Sequence, residues 1–299
     1  MQIFISVMLP VLLIFGFGYG IQKWKRLDIT SISTVALYVL IPCLVFNTIY
    51  KANLDKTYVQ MVIFSFILLA TLVLINKVYS RIKNHTASME NGLILSTAFM
   101  NAGNYGTPII LFAFGEEAFA LAVIFMVLQQ IIMNFFGVYY AAKGKEGILA
   151  AIKSVFEMPP TYALFAALVL NLSNITIGEN LLSVIALVGD AAIPLVMVVL
   201  GMQLANLKLK EFQWSEISYG ITTRMILSPI VAYVITVFIM DVDPLLRKVL
   251  IVASAMPSAA TMVLFALQYK TEPNLVSSIT LVSTVVSVFT ITVLLNVVH

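Results

Sequence analysis

The eight residues Asn101-Ala-Gly-Asn-Tyr-Gly-Thr-Pro108 (NAGNYGTP) decide how this chain is read, because they set two asparagines, two glycines and a proline inside an apolar run from Leu93 to Phe114. The surrounding chain has 299 residues, 61% of them hydrophobic and 10% charged, with a mean hydropathy of +1.02. That composition lies well outside the range of soluble domains and points to an all-α polytopic membrane protein. In lipid an unpaired backbone N–H or C=O costs several kcal/mol, so a helix interruption survives only where protein, water or a ligand satisfies the freed groups. The stretch is therefore a candidate site.

An apolar segment of about 20 residues crosses a hydrocarbon core about 30 Å thick. On that measure the apolar runs predict ten spans, near residues 3–21, 30–49, 58–76, 91–113, 118–141, 159–174, 181–205, 217–240, 249–269 and 274–298. The first run has no basic segment before it and no small-residue cleavage site, which reads as a retained span. Cys43 is the single cysteine, so neither a disulfide framework nor a cysteine metal cluster is expected within one chain. The net charge of +3 follows from the loops rather than from a nucleic-acid surface. Lys23, Lys25, Arg26, Lys77, Arg81, Lys83, Lys143, Lys145, Lys153, Lys208, Lys210 and Lys270 share one side, against Lys51, Lys56, Arg247 and Lys248 on the other. The richer side is read as cytoplasmic. With ten spans, both termini then face outward from a multi-pass protein of the plasma (cell inner) membrane.

The chain also carries a signal of internal repetition. Pro42 of LIPCLVF precedes Pro108 by nearly the same spacing as Pro194 of AIPLVMVVLG precedes Pro257 of ASAMPSAATMVLFALQY. Span two then matches span seven, and span four matches span nine. Five spans per half is an odd number, so the two halves have opposite topology. The expected organisation is a 5+5 inverted repeat: residues 1–141, a cytoplasmic connection at 142–158, and residues 159–299. Counting inward at 1.5 Å per residue places Pro257 about 13 Å and Pro108 about 12 Å from the nearest flanking charge, close to the bilayer centre.

A proline fits the first turn of a half-helix, where a missing N–H does no harm, and Gly103 fits the left-handed position just past a helix end. Each break would offer a half-helix amino terminus that favours an anion, while the opposing carboxyl ends favour a cation or proton. Asn101, Asn104, Thr107, Ser258 and Thr261 would surround the breaks with neutral donors and acceptors, with Gly103, Gly106, Pro108 and Pro257 shaping the backbone. None of these is a nucleophile or base.

NAGNYGTPIILFAFG and ASAMPSAATMVLFALQY resemble the two crossover helices of the auxin efflux carrier family, the bacterial relatives of the plant PIN proteins, and DAAIPLVMVVLGMQLA resembles its seventh span. The likeness covers nearly the whole chain. It implies a scaffold of spans one, two, six and seven, and a transport domain of spans three to five and eight to ten. It also implies elevator-like movement, a homodimer, and small organic anions such as malate, malonate or an auxin-like acid as cargo. No cofactor is implied. The coupling ion, proton or sodium, is left open; the related bile acid sodium symporters use an acidic residue in the second crossover helix, and residues 249–269 contain no Asp or Glu.

Asp190 and Arg224 are charges within spans, where burial is expensive and a functional role is the first expectation. Asp190 would carry a coupling proton or line a wet crevice; Arg224 would neutralise an anionic substrate, pair structurally or snorkel to the cytoplasmic surface. Gln130 and Asn134, at i and i+4, share a helix face that either meets the crossover or bonds neighbouring helices. Without a G-x-x-x-x-G-K-[ST] motif, energy must come from gradients. The function predicted is secondary transport of a small organic anion. A sodium-coupled organic-anion symporter is the alternative, ahead of a channel, a receptor, or an intramembrane aspartyl enzyme, which would need a second buried aspartate.

Overall fold

The computed structural model describes residues 4–52, 56–142, 156–206 and 213–298, and these are almost entirely helical. No strand occurs among them, only an isolated antiparallel bridge between Met100 and Ser258. The helices are α1 (Phe4–Lys25), α2 (Ile29–Lys51), α3 (Lys56–Ile82), α4 (Ala87–Ala98), α5 (Ala102–Ala141), α6 (Pro159–Leu172), α7 (Glu179–Asn206), α8 (Trp214–Ile239), α9 (Pro244–Ser254), α10 (Ala260–Tyr269) and α11 (Pro273–Val298). Seven of them, α1, α2, α3, α5, α7, α8 and α11, are long and apolar enough to cross a membrane. The others run 10–14 residues, below the length a span needs.

Helix ends depart from the boundaries expected from apolar runs. The third helix continues to Ile82, so Lys77 and Arg81 lie on it rather than in a loop. A helix needs no apolar side chain to propagate, and long cationic side chains reach water from its last turns. The 40 residues of α5 hold the second half of the expected fourth span and the whole of the fifth, and the backbone leaves the helical region between them at Gly115 (φ 81°, ψ −171°), next to Glu116 and Glu117. Most of the 142–158 connection, including Lys143, Lys145 and Lys153, lies outside the described residues, as do Lys208 and Lys210.

Caps follow from local chemistry. Asp28 accepts the N–H groups of Thr30 and Ser31 at the start of α2, and the Ser31 hydroxyl with those two amides holds its carboxyl below the ordinary aspartate range. Thr86 caps α4 and Asp243 caps α9.

The residues fall into two compact units: Met1–Leu54, Gly103–Ile131 and Val155–Asn206 in the first, Asp55–Ala102, Ile132–Ser154 and Leu207–His299 in the second. In the first, α1 packs along α7 and α2 along α6. The α1–α7 contact is backbone against backbone: a Cβ added at Gly18 would lie 2.1 Å from the Val198 carbonyl oxygen, and one added at Gly201 would lie 2.1 Å from that of Phe15. Small residues at such a seam let helices approach where lipid offers no hydrophobic drive for association. At the end of α2, the amide of Asn171 donates to the carbonyls of Ile49 (3.2 Å), Tyr50 (2.9 Å) and Ala52 (2.9 Å), and the Ile49 carbonyl also accepts from the Ala52 N–H. In the second unit, α3 packs on α4, α8 on α9, and α10 on α11. The buried amide of Asn76 donates to the Thr97 hydroxyl at 2.8 Å, and the rings of Tyr79 and Tyr219 stack 3.5 Å apart.

Candidate crossover site

Helical geometry stops at Ala98 and resumes at Ala102; it stops again at Ser254 and resumes at Ala260. The two gaps lie against each other within the second unit. Phe99 and Ala259 are both extended, the Asn101 N–H donates to the Pro257 carbonyl at 2.9 Å, and the Ala259 N–H donates to the Phe99 carbonyl at 3.1 Å. Each gap thus satisfies backbone groups that the other leaves open, which is what burial requires of a non-helical segment. The Ser258 N–H donates to the Ser283 hydroxyl (3.3 Å), and Thr280 donates to Ser258 Oγ (3.2 Å), which ties the second gap to α11.

Two expectations about these gaps change. Pro257 does not open the next helix; it lies in the extended stretch ahead of Ala260, where its carbonyl serves as the acceptor for Asn101. A residue without an N–H loses nothing there, because only its C=O is used. Gly103 is not left-handed but part of the helical turn Ala102–Gly106, and the positive-φ glycine among the described residues is Gly115. What Gly103 supplies is room: a Cβ there would lie 3.1 Å from the Met126 side chain. Pro108 stands second in the α-helical part of α5, which begins at Thr107 directly after the π-helical turn Ala102–Gly106.

The remaining candidates divide between the units. In the first, Thr107 is buried and its hydroxyl donates to the Gly103 carbonyl at 2.6 Å; Gly106 is buried, and Asn104 is half-buried with no hydrogen bond to its amide among the described residues. Tyr105 is buried with its ring 5.4 Å from that of Phe15. Gln130 is half-buried and hydrogen-bonded or otherwise engaged. In the second unit, Asn101 and Ser258 are buried beside the bridge, Thr261 is half-buried in the first turn of α10, and Asn134 is buried and engaged. The N-cap of α10, Ala259, provides no side-chain cap, so that helix starts with unclaimed donors.

The charges separate sharply. Asp190 ends the first segment of α7 and is exposed. Arg224 is completely buried, which removes the snorkelling reading. Its Nη1 donates to the Thr97 carbonyl at 2.8 Å, and its Nη2 to the Ser228 hydroxyl at 2.7 Å and to the Ser254 carbonyl. Thr97 and Ser254 stand at the carboxyl ends of α4 and α9, immediately before the two gaps. Nothing in the sequence marks these partners except Ser228, which stands one turn after Arg224.

Among the described residues, no group of three or more His, Cys, Asp or Glu side chains could hold a metal ion. Against known proteins, a family model described as membrane transport protein matches residues 3–295. An uncharacterized transporter of Methanothermobacter thermautotrophicus is 26% identical over 289 residues, covering 94% of each chain. A second uncharacterized transporter, from Methanocaldococcus jannaschii, is 24% identical over 299 residues, covering 96% of each chain.

Proposed function

Because the chain belongs to the membrane transport protein family, that of the auxin efflux carriers, and is a membrane transporter rather than an enzyme, we propose that it carries a small organic anion, a carboxylate, by alternating access at the paired gaps. The observation that carries this reading is the reciprocal bridge between residues 99–101 and 257–259. It holds the uncapped amino terminus of α10 next to Ser258 and Asn101, both buried and polar. Unpaired N–H donors and about half a positive charge at a helix start suit a carboxylate without binding it so tightly that it cannot leave. Asn104, in the helical turn that follows the first gap along the chain, is proposed as a further donor to the anion.

Helix pairings support a 5+5 inverted repeat. The contacts of α1 with α7 and of α2 with α6 are exchanged when the first span is matched to the sixth and the second to the seventh, and α3 on α4 matches α8 on α9. In this reading the gaps are breaks in spans four and nine, the first unit contains the scaffold spans one, two, six and seven, and the second contains spans three and eight to ten of the mobile domain in an elevator-type cycle. The expected fourth and fifth spans divide between the units at Ala102/Gly103 and Ile131/Ile132. The carrier works as a homodimer in the cell's inner membrane, with both termini outside.

Uptake of radiolabelled malonate or malate into proteoliposomes tests the site. Asn104→Ala and Asn101→Ala should reduce initial rates at least about tenfold, the effect of losing about 1.4 kcal/mol of binding or gating free energy, while expression and oligomeric state stay the same. Wild-type rates in both variants would refute the placement, and flux that never saturates would refute a carrier.

A further inference from the structure

The carboxyl ends of α4 and α9 meet one side chain, the guanidinium of Arg224. A helix of 11 or 12 residues ends in carbonyls without intrahelical donors and about half a negative charge, and here two such ends converge. In carriers built around interrupted helices, ends of this kind are where a coupling sodium ion finds its oxygen ligands. In this chain those oxygens are already engaged. Thr97 O and Ser254 O accept from Arg224, and the Ser228 hydroxyl, which accepts from Nη2, donates in turn to Ser254 O at 2.8 Å. Among the described residues no carboxylate pairs with Arg224, so its charge is balanced by helix ends and hydroxyl dipoles rather than by an acid. A sodium site next to a fixed cation would face both Coulomb repulsion and competition for the same oxygens.

We propose that Arg224 is the resident cation of the crossover, occupying the place of a coupling sodium ion, and that transport proceeds without Na+. This rests on the reading of the two gaps as the transport site. Arg224 is a positioning residue: it fixes the carboxyl ends of α4 and α9 so that the bridge at Met100 and Ser258 forms, and it does not touch cargo.

Thermal unfolding of the purified full-length protein decides the matter, in NaCl against choline chloride at equal ionic strength. The wild type should show the same Tm in both, and so should Arg224→Lys, which keeps the charge. Arg224→Ala should unfold at a lower temperature in choline and regain about 3 °C at about ten times the Kd of added Na+ or guanidinium. A wild type stabilised saturably by Na+ overturns the proposal. So does an Arg224→Ala protein that folds and ignores both cations. Should Arg224→Ala fail to fold, the wild type and Arg224→Lys still separate the outcomes, and malonate uptake by wild-type proteoliposomes in sodium-free buffer does so independently: uptake that requires Na+ overturns the assignment. The transport-site reading has its own readout. A malonate-induced Tm shift that Asn104→Ala leaves intact sinks the site without moving the cation result, and a sodium-dependent wild type sinks the resident cation without moving the malonate shift.

Discussion

Replacing Gly201 by alanine puts one methyl group where the structure has no room for it. Its Cβ would lie 2.1 Å from the Phe15 carbonyl oxygen and 2.8 Å from the carbonyl carbon. Ordinary contact begins near 3.4 Å, so α1 and α7 must separate locally by about 1.3 Å, and neither obstructing atom can rotate away because both are backbone. Inserting a methyl group into a packed seam costs about 1–3 kcal/mol, and a backbone obstacle puts this site at or beyond the upper end. Alanine returns about 1 kcal/mol through helix propensity. The net loss is about 2 kcal/mol, a fall in Tm of about 3 °C for a chain of this length. The assay is intrinsic-fluorescence unfolding of the purified protein in detergent. Gly16→Ala and Gly20→Ala are the controls, since both lie on α1 with open space at the Cβ position, and both should match or slightly exceed the wild type. A Gly201→Ala protein as stable as those controls would refute the claim that this seam is held at backbone contact.

Two further substitutions probe local geometry. Gly115→Ala should lower stability by about 1–3 kcal/mol, because φ 81° with ψ −171° is a region open essentially to glycine alone; Gly178→Ala, which meets no atom within 4 Å, should stay within about 0.5 kcal/mol of wild type in the same unfolding assay. Asn171→Asp should cost about 2 kcal/mol and more than Asn171→Ala, since a carboxylate has no proton to give the three carbonyls at the end of α2 and adds a negative charge to a negative helix end; equal Tm values for the two variants would show that the Asn171 bonds carry no weight.

How much of this is legible in the sequence varies with the kind of interaction. The gap at Asn101 is visible because Asn, Gly and Pro mark where a helix stops, and spacing alone brings Pro257 to it as a counterpart. The residues that join the gaps are not visible. Phe99 and Ala259 act through backbone groups, which every residue type has, so no letter announces them. The same limit hides the partners of Arg224. A buried charge can be read from its place in an apolar run, but the carbonyls of Thr97 and Ser254 have no signature in composition or periodicity. Asp190 lies within a span and is exposed, at the end of the first segment of α7, and the sequence alone does not show which face of the span it occupies. Among the alternating glycines of FGFGYG, Gly18 alone contacts a neighbouring backbone, and only the packing of α1 on α7 distinguishes it from Gly16 and Gly20.

The bridge between Met100 and Ser258 also bears on how the protein is made. The Phe99 carbonyl and the Asn101 amide leave the ribosome long before Ala259 and Pro257, their eventual partners. During that interval the first gap must be kept hydrated or sheltered by the insertion machinery, because lipid offers it nothing. Folding of the chain around Asn101 is therefore incomplete in a specific chemical sense until Pro257 and Ala259 arrive, and a nascent chain arrested before Pro257 should be an early substrate for membrane quality control.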